Sequence, residues 1–189
     1  YGGSGSGKTT LATALQQYFL NDGTGCYLLS GDDYPHRIPK RNDEERLRVY
    51  KEAGEDGLRG YLGTKKEIDF ARINEVLAAF HEGKDTITLR HLGREDGEIL
   101  SEETDFSGIS VLLLEWTHGG SDDLHGVDLS VFLESSPEET KERRIRRNRD
   151  ENAASPFICR VVELEQEKLE VQRKNAGLIV GKDGSIYEQ

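Results

Sequence analysis

GGSGSGKTT, residues 2–10, fits the pattern G-x-x-x-x-G-K-[ST], with Gly2, Gly7, Lys8 and Thr9 in register. Glycines let successive backbone N–H groups turn inward and close around phosphate oxygens, which a Cβ atom would obstruct. A helix-forming segment, LATALQQYFL, follows at once, and the unpaired N–H groups of its first turn attract the same anion. The pattern therefore indicates a phosphate-binding loop. A flexible Gly/Ser linker is the alternative, and the helix directly behind the loop argues against it.

The other residue types in this loop suit a nucleotide. Lys8 supplies a mobile positive charge for β- and γ-phosphates, and the hydroxyl of Thr9 is suited to coordinate Mg²⁺. Thr10 adds a second hydroxyl near the α-phosphate. We predict a nucleotide-binding set that consists of Gly3, Ser4, Gly5, Ser6, Gly7, Lys8, Thr9 and Thr10.

One part of the pattern is absent. The loop should follow a buried β-strand, but the sequence begins at Tyr1, directly before the loop, and contains no Met in 189 residues. We therefore expect that a strand upstream of Tyr1, and some internal Met residues, are missing from the sequence.

Composition limits the class of protein. A chain of 189 residues is expected to form one domain, and its net charge of −11 argues against general nucleic-acid binding, which requires a positive surface. No apolar run approaches the roughly 18 residues of a membrane span. Cys26 and Cys159 lack metal-ligand spacing, as is usual for free thiols in a reducing cytosol. We expect a cytoplasmic protein with neither nucleic-acid nor membrane partners, and leave open whether it forms a homo-oligomer.

Two apolar runs end in carboxylates. CYLLS (26–30) is a predicted strand that leads into Asp32 and Asp33, and open α/β sheets place ligand chemistry at such strand ends. Turn formation beside a glycine is the alternative for these two residues. ISVLLLE (109–115) is predicted to be a central parallel strand buried on both faces. A buried Glu115 would be costly without a cation, so we assign it to Mg²⁺.

The middle of the chain predicts a helix from Asn42 to Gly54, an irregular Gly-rich segment to Gly63, and a second helix with its apolar face at 68–80. A strand at 85–90 and a hairpin-like exposed piece at 97–105 follow. Arg90, His91 and Arg94 lie at the end of that strand, either as solvated charges or as ligands of a substrate anion.

A basic helix follows the predicted strand 127–134. Ser136 and Glu139 form a capping box, and KERRIRRNR (141–149) has six basic residues of nine. Arg143 and Arg147 share a face at spacing i, i+4. A solvated face is the usual fate of such a run; we favour a lid at about 143–154 that closes arginines over transferring phosphate.

The last elements are a long helix from Pro156 to about Asn175, a strand at 178–180, and a tight turn into Ile186. Strands and helices alternate along the whole chain, which predicts an α/β fold with a mostly parallel central sheet between two layers of helices. We find no second domain, so the prediction is a single domain over 1–189.

With these elements in place, the chain resembles the uridine kinase–phosphoribulokinase group of P-loop small-molecule kinases. Four pieces carry the resemblance: GGSGSGKTTLA, LSGDDY, LLLEW and VDLSVFLESSPEETKERRIRRNRDE. It implies the three-layer P-loop NTPase fold with an arginine-rich lid. By this resemblance, Asp32 corresponds to the base that accepts a proton from the acceptor hydroxyl, and it also contributes to the metal site. Glu115 corresponds to the acidic residue linked to Mg²⁺. Arg147 would stabilise the transferring phosphoryl group and Arg143 would bind the nucleotide.

The resemblance is incomplete on the acceptor side. TLRHLGRED (88–96) lacks the aromatic residue expected in uridine kinases, so a nucleoside, a sugar and a sugar phosphate all stay open as acceptors. Arg90 and Arg94 would suit an acceptor that already bears an anion. The candidate acceptor contacts are Asp33, Tyr34, Arg90, Arg94 and His118.

The sequence thus predicts an ATP- and Mg²⁺-dependent kinase that phosphorylates a hydroxyl of a small molecule. An adenylylsulfate-type kinase differs only in the acceptor. A nucleotide-sensing regulatory protein without acceptor turnover is the non-enzymatic alternative. A GTP-hydrolysing switch would need an N-K-x-D segment and an ABC-type ATPase an LSGGQ-like signature, and neither occurs.

Overall fold

A computed structural model describes residues 1–93, 95, 97–147 and 155–189, with only the backbone at 146 and 147. The helices are α1 (Lys8–Asn21), α2 (Pro39–Arg59), α3 (Phe70–His81), α4 (Pro137–Arg147) and α5 (Pro156–Gln172). The strands are β1 (Gly25–Ser30), β2 (Thr86–Leu92), β3 (Ile99–Asp105), β4 (Ile109–Glu115), β5 (Val131–Leu133), β6 (Leu178–Val180) and β7 (Ile186–Glu188).

The main strands pair in parallel, as the sequence predicts. β1 pairs with β4 in a register that aligns Ser30 with Glu115. β5 pairs in parallel with β6, and β7 adds an antiparallel edge. Gly2 forms a parallel bridge to Leu133, so the phosphate loop begins beside β5. The predicted α/β fold with a mostly parallel sheet is confirmed.

The segment predicted as a hairpin-like exposed piece at 97–105 is exposed, but it forms a single strand, β3, that makes a hairpin with β2. β2 and β3 pair antiparallel, with Thr86 opposite Asp105 and Leu92 opposite Ile99. Ile87 and Leu89 of β2 are buried, whereas most of β3 is exposed. The hairpin therefore packs through β2 and presents β3 to solvent.

The largest core cluster lies between α3 and the strands β1, β2 and β4. Trp116, directly after β4, is 1% exposed, and its ring centroid lies 5.6 Å from that of Phe70. A second cluster joins Leu58 of α2 to Val161 and Leu164 of α5. Burial of these apolar side chains is the dominant favourable term in folding. The first cluster fixes α3 to the strands, and the second fixes α2 to α5.

The structure corrects the prediction for α2. This helix begins at Pro39 and extends to Arg59, well past the predicted end at Gly54. Gly54 has φ 64° and ψ −157°, so the chain is kinked there and the helix then resumes. Glycine tolerates this backbone conformation, and burial of Leu58 against α5 favours the second segment.

Two strand predictions need adjustment. β4 is half-buried rather than buried on both faces. β5 spans only Val131–Leu133 instead of 127–134, and Val127 and Leu129 are exposed. The capping box is confirmed: Ser136 N donates to Glu139 Oε2 (2.8 Å) and Glu139 N donates to Ser136 Oγ (3.3 Å). Most of the predicted lid lies outside the described residues, and the lid stays a prediction.

Gly31 is expected to tolerate no side chain. A Cβ atom at this position would overlap the indole ring of Trp116. We predict that Gly31→Ala lowers the free energy of unfolding by about 1–3 kcal/mol, the usual cost of overpacking. Gly60→Ala is the matched control, because Gly60 has an ordinary helical backbone and a Cβ atom there would make only ordinary van der Waals contacts, at 3.4 Å or more. Chemical denaturation of both variants checks this, and equal stabilities would contradict it.

Candidate active site

The phosphate loop is a tight turn that ends at the start of α1. Gly5 (φ 80°) and Gly7 (φ 102°) have positive φ, a region that favours glycine. Ser6 N donates to Gly3 O at 3.1 Å, and Lys8 Nζ donates to the same oxygen at 3.0 Å. Ser4, Thr9 and Thr10 are exposed. The first turn of α1 therefore directs N–H groups and hydroxyls to the loop, as an anion site requires.

Helix α4 packs directly on this loop. A Cβ atom at Gly5 would lie 3.1 Å from Thr140 Cβ and 3.2 Å from Arg144 Cγ. Arg144 Nη2 donates to Pro137 O at 2.8 Å. The i, i+4 spacing in the sequence selected Arg143 and Arg147. It did not select Arg144, because no local signal shows which face of the helix meets Gly5.

A polar cavity of about 280 Å³ adjoins the loop. It is lined by Ser6, Leu133, Glu134, Ser135, Glu139, Arg143, Val180, Gly181 and Lys182. The Ser6 hydroxyl is buried and has no hydrogen-bond partner among the described residues. Buried hydroxyls normally have a partner, so the structure leaves a hydrogen-bonding position open toward a ligand. Arg143 lies with the loop, where a nucleotide-binding residue is expected, whereas the side chain of Arg147 is outside the described part.

The candidate metal residues lie on one edge of the sheet. Glu115 is the last residue of β4, and Asp32 follows β1 by two positions. Because the parallel register aligns Ser30 with Glu115, the two strands end level with each other. Hydroxyl and carboxylate oxygens are the ligands that Mg²⁺ prefers, so Thr9, Asp32 and Glu115 have the chemistry to hold it beside the loop.

Two of the predicted acceptor contacts have structural roles. Asp33 Oδ1 accepts a hydrogen bond from Leu92 N at 3.0 Å, and its Oδ2 lies 3.6 Å from His91 Nδ1. Tyr34 is 0% exposed and belongs to the largest core cluster. Asp33 therefore holds the end of β2 next to β1, and Tyr34 packs beneath the site.

Arg90 also has internal partners. It is 8% exposed, donates to Pro35 O at 2.7 Å, and pairs with Asp69 at 3.3 Å. Its charge is thus already compensated within the protein, which weakens the expectation that it binds an acceptor anion. Arg94 lies outside the described residues.

A buried polar network, which sequence reasoning missed, lies beside Asp32. Glu67 is 0% exposed and accepts hydrogen bonds from Asn42 Nδ2 (2.8 Å), Arg46 Nε (2.6 Å) and Gly63 N (2.6 Å). Burial alone would raise the pKa of Glu67, but the charge of Arg46 and the hydrogen bonds lower it. Glu67 is therefore ionised, and it fastens α2 to the segment before α3.

His118 packs against this network. Its ring meets Trp116 edge-on, with centroids 5.5 Å apart, and a Cβ atom at Gly63 would lie 2.7 Å from His118 Nδ1. Burial lowers the pKa of His118 to about 4, against the opposing effect of Glu67. The imidazole is consequently neutral at pH 7, and the charge of Asp32 also acts on it.

The lowered pKa of His118 makes stability depend on pH. The folded protein binds the proton less tightly than the unfolded chain, whose histidine has the ordinary value of 6.5. Stability is therefore full above 6.5 and falls as the pH drops toward about 4, by at most about 1.4 kcal/mol per pH unit. His118→Gln should flatten this part of the unfolding free energy against pH, while His125→Gln, at an exposed site, should not. Identical slopes in all three proteins would refute the assignment.

Comparisons with known proteins agree with this geometry. Residues 1–155 match the phosphoribulokinase/uridine kinase family. A phosphoribulokinase structure from Rhodobacter spheroides has a TM-score of 0.69, 14% identity, and coverage of 94% of this chain and 67% of its own. A structure described as a possible uridine kinase, from Bacillus stearothermophilus, has a TM-score of 0.63, 19% identity, and coverage of 94% and 84%.

A curated relative is far closer in sequence. The "Bifunctional alpha-galactosidase/sucrose kinase AgaSK" of Mediterraneibacter gnavus is 94% identical over 189 residues, which are 100% of this chain and 20% of that protein. The chain thus spans about a fifth of the curated relative.

The chain belongs to the phosphoribulokinase/uridine kinase family. The predicted P-loop fold and the resemblance to the uridine kinase–phosphoribulokinase group are confirmed. In the described part of the chain, no helix is both long and apolar enough to cross a membrane.

Proposed function

We propose that this chain is an ATP- and Mg²⁺-dependent sugar kinase that transfers the γ-phosphoryl group to a sugar hydroxyl, with sucrose as the first candidate. The observation that carries the chemistry is the phosphate loop, with Lys8 at the start of α1 and Asp32 and Glu115 at the adjoining strand ends. The choice of a sugar rests on the name of the 94% identical relative. A cytoplasmic location and a single domain over 1–189 are part of the proposal.

Different residues around the phosphate loop bind the phosphates and the metal. Bound ATP·Mg²⁺ supplies the phosphoryl group and the metal charge on its oxygens. The loop amides and Lys8 would hold the phosphates, and Thr9, Asp32 and Glu115 would hold the metal. Catalysis of this kind depends on positioning and on electrostatic stabilisation of the transferred group.

On the acceptor side, Asp32 accepts a proton from the sugar hydroxyl or orients it. Because His118 is buried, it acts on the acceptor side through packing. Asp33, Tyr34 and Arg90 act through packing and through the hairpin. From α4, Arg143 and Arg144 approach the nucleotide, and Arg147 is proposed to meet the transferring phosphoryl group.

The first test is acceptor-dependent release of ADP from Mg·ATP. The acceptor panel contains sucrose and other neutral sugars, sugar phosphates, uridine, cytidine and adenylylsulfate. We expect turnover with a sugar, and a loss of about 10³-fold or more in Lys8→Ala, because that change removes the cation on the phosphates. Lys51→Ala, at an exposed position of α2, is the matched control and should retain wild-type activity.

Turnover with uridine or adenylylsulfate but with no sugar would show that the acceptor is not a sugar. Near-normal turnover by Lys8→Ala would refute the kinase assignment. Tight ATP binding with no acceptor-dependent release across the panel would favour the regulatory alternative.

Variants of Asp32 and Asp33 distinguish the catalytic base from the residue that supports the hairpin. We expect Asp32→Asn to lower kcat by about 10²-fold or more, since it removes the proton acceptor, and to raise the KM for Mg·ATP, since it also removes a proposed metal ligand. Asp33→Asn should mainly lower thermal stability, because Asp33 accepts from Leu92 N. Steady-state kinetics and thermal unfolding of both variants check this, and an unchanged kcat in Asp32→Asn would move the base role elsewhere.

A further inference from the structure

A line of alternating charges lies on the acceptor side of the phosphate loop. It consists of Glu67, Arg46 and Glu165, with the cation Arg46 between the two carboxylates. Arg46 Nε donates to Glu67 Oε1 at 2.6 Å, and Arg46 Nη2 donates to Glu165 Oε1 at 3.2 Å. The three side chains come from the segment before α3, from α2 and from α5. They are 0%, 17% and 14% exposed, respectively. Water therefore screens the charges little, and each acts at close range.

This charge line reaches the reaction centre through Glu165. Glu165 precedes Gln166 in α5, and a Cβ atom at Gly3 of the phosphate loop would lie 2.9 Å from Gln166 Oε1, so α5 passes the loop at this point. The charges of Lys8 and Asp32 both act on the Glu165 carboxylate, in agreement with this position. Burial raises the pKa of Glu165, and Arg46 opposes that effect. Burial disfavours the charge of Arg46 as well, but its carboxylate partners raise its pKa above the ordinary value.

Among the described residues on the acceptor side, the cations already have internal partners. Arg46 is enclosed by its two glutamates, and Arg90 pairs with Asp69. Lys168 donates to the carbonyl of Leu62 and is influenced by Glu67 and Glu165. With Lys8 directed to the nucleotide phosphates, Arg46, Arg90 and Lys168 are already engaged inside the protein and do not compensate a further anion. A phosphate on the acceptor would meet like charges, which costs binding energy.

We propose that Glu165 determines acceptor specificity: by neutralising Arg46, it makes the site select uncharged sugars and reject sugar phosphates. This inference rests on the proposed sugar kinase function and deepens it. Glu165 acts through Arg46 and through the local field, so it is a specificity-determining residue and not a catalytic one.

A substitution at Glu165 disturbs the fold less than a substitution at Glu67. Glu67 satisfies three buried donors, and its loss would leave them unpaired. Glu165→Gln keeps the size and the acceptor oxygen toward Arg46 and removes only the charge. Glu163→Gln makes the same chemical change on the same helix, at a half-exposed residue that pairs with Arg160, and is the matched control.

The experiment compares neutral sugars with their 6-phosphates as acceptors, and as competitive inhibitors of phosphorylation of the neutral sugar. In the wild-type protein, kcat/KM should be far higher for neutral sugars, with weak inhibition by the 6-phosphates. In Glu165→Gln, the inhibition constant of the 6-phosphate should fall about tenfold, because one compensating charge is gone. The KM for ATP should not change, and Glu163→Gln should behave as wild type.

A wild-type preference for sugar phosphates would overturn this inference while leaving the kinase function intact, and this comparison needs no variant. An unchanged inhibition constant in folded Glu165→Gln would also overturn it. Glu165→Asp retains the charge and should retain the preference, so the same change in both variants would indicate packing and contradict the proposal. Failure of every acceptor with ATP bound would overturn the proposed function and this inference together.

Discussion

The parallel pairing of β1 with β4 is the constraint on which the reaction centre depends. It aligns Ser30 with Glu115, so both strands end at the same edge of the sheet. Asp32, two residues after β1, and the Glu115 carboxylate can then face the phosphate loop together. A shift of the register by one residue would turn the side chain of Glu115 to the opposite face and would separate the two carboxylates.

The phosphate loop is held from the opposite side by the C-terminal helices. Thr140 of α4 packs on Gly5, and Gln166 of α5 lies so close to Gly3 that a Cβ atom there would be 2.9 Å from its Oε1. The loop can make these contacts because it carries few side chains. The same glycines therefore serve two needs: they expose amides to phosphate, and they let two helices approach the backbone closely.

The network around Glu67 connects stability with specificity. A buried carboxylate is tolerable only when it is paired and hydrogen-bonded, and Glu67 meets both conditions through Arg46 and the Gly63 amide. The network thereby orders the segment after α2, whose glycine-rich composition alone indicated an irregular loop. It also holds His118 against Gly63 and pairs Arg46 with Glu165, so that α2, α5 and the segment after β4 meet at one buried set of polar residues.

The phosphate loop, the capping box of Ser136 and Glu139, the apolar face of α3 and the two strands followed or closed by carboxylates could all be predicted from the sequence. These features depend on residues within a few positions of one another, so periodicity and spacing reveal them. The folded chain alone shows that Tyr34 lies in the core, and that Arg46 joins a glutamate 21 residues away to another 119 residues away. Such partners meet through packing of separate elements, and no local pattern encodes which buried charge will find which partner.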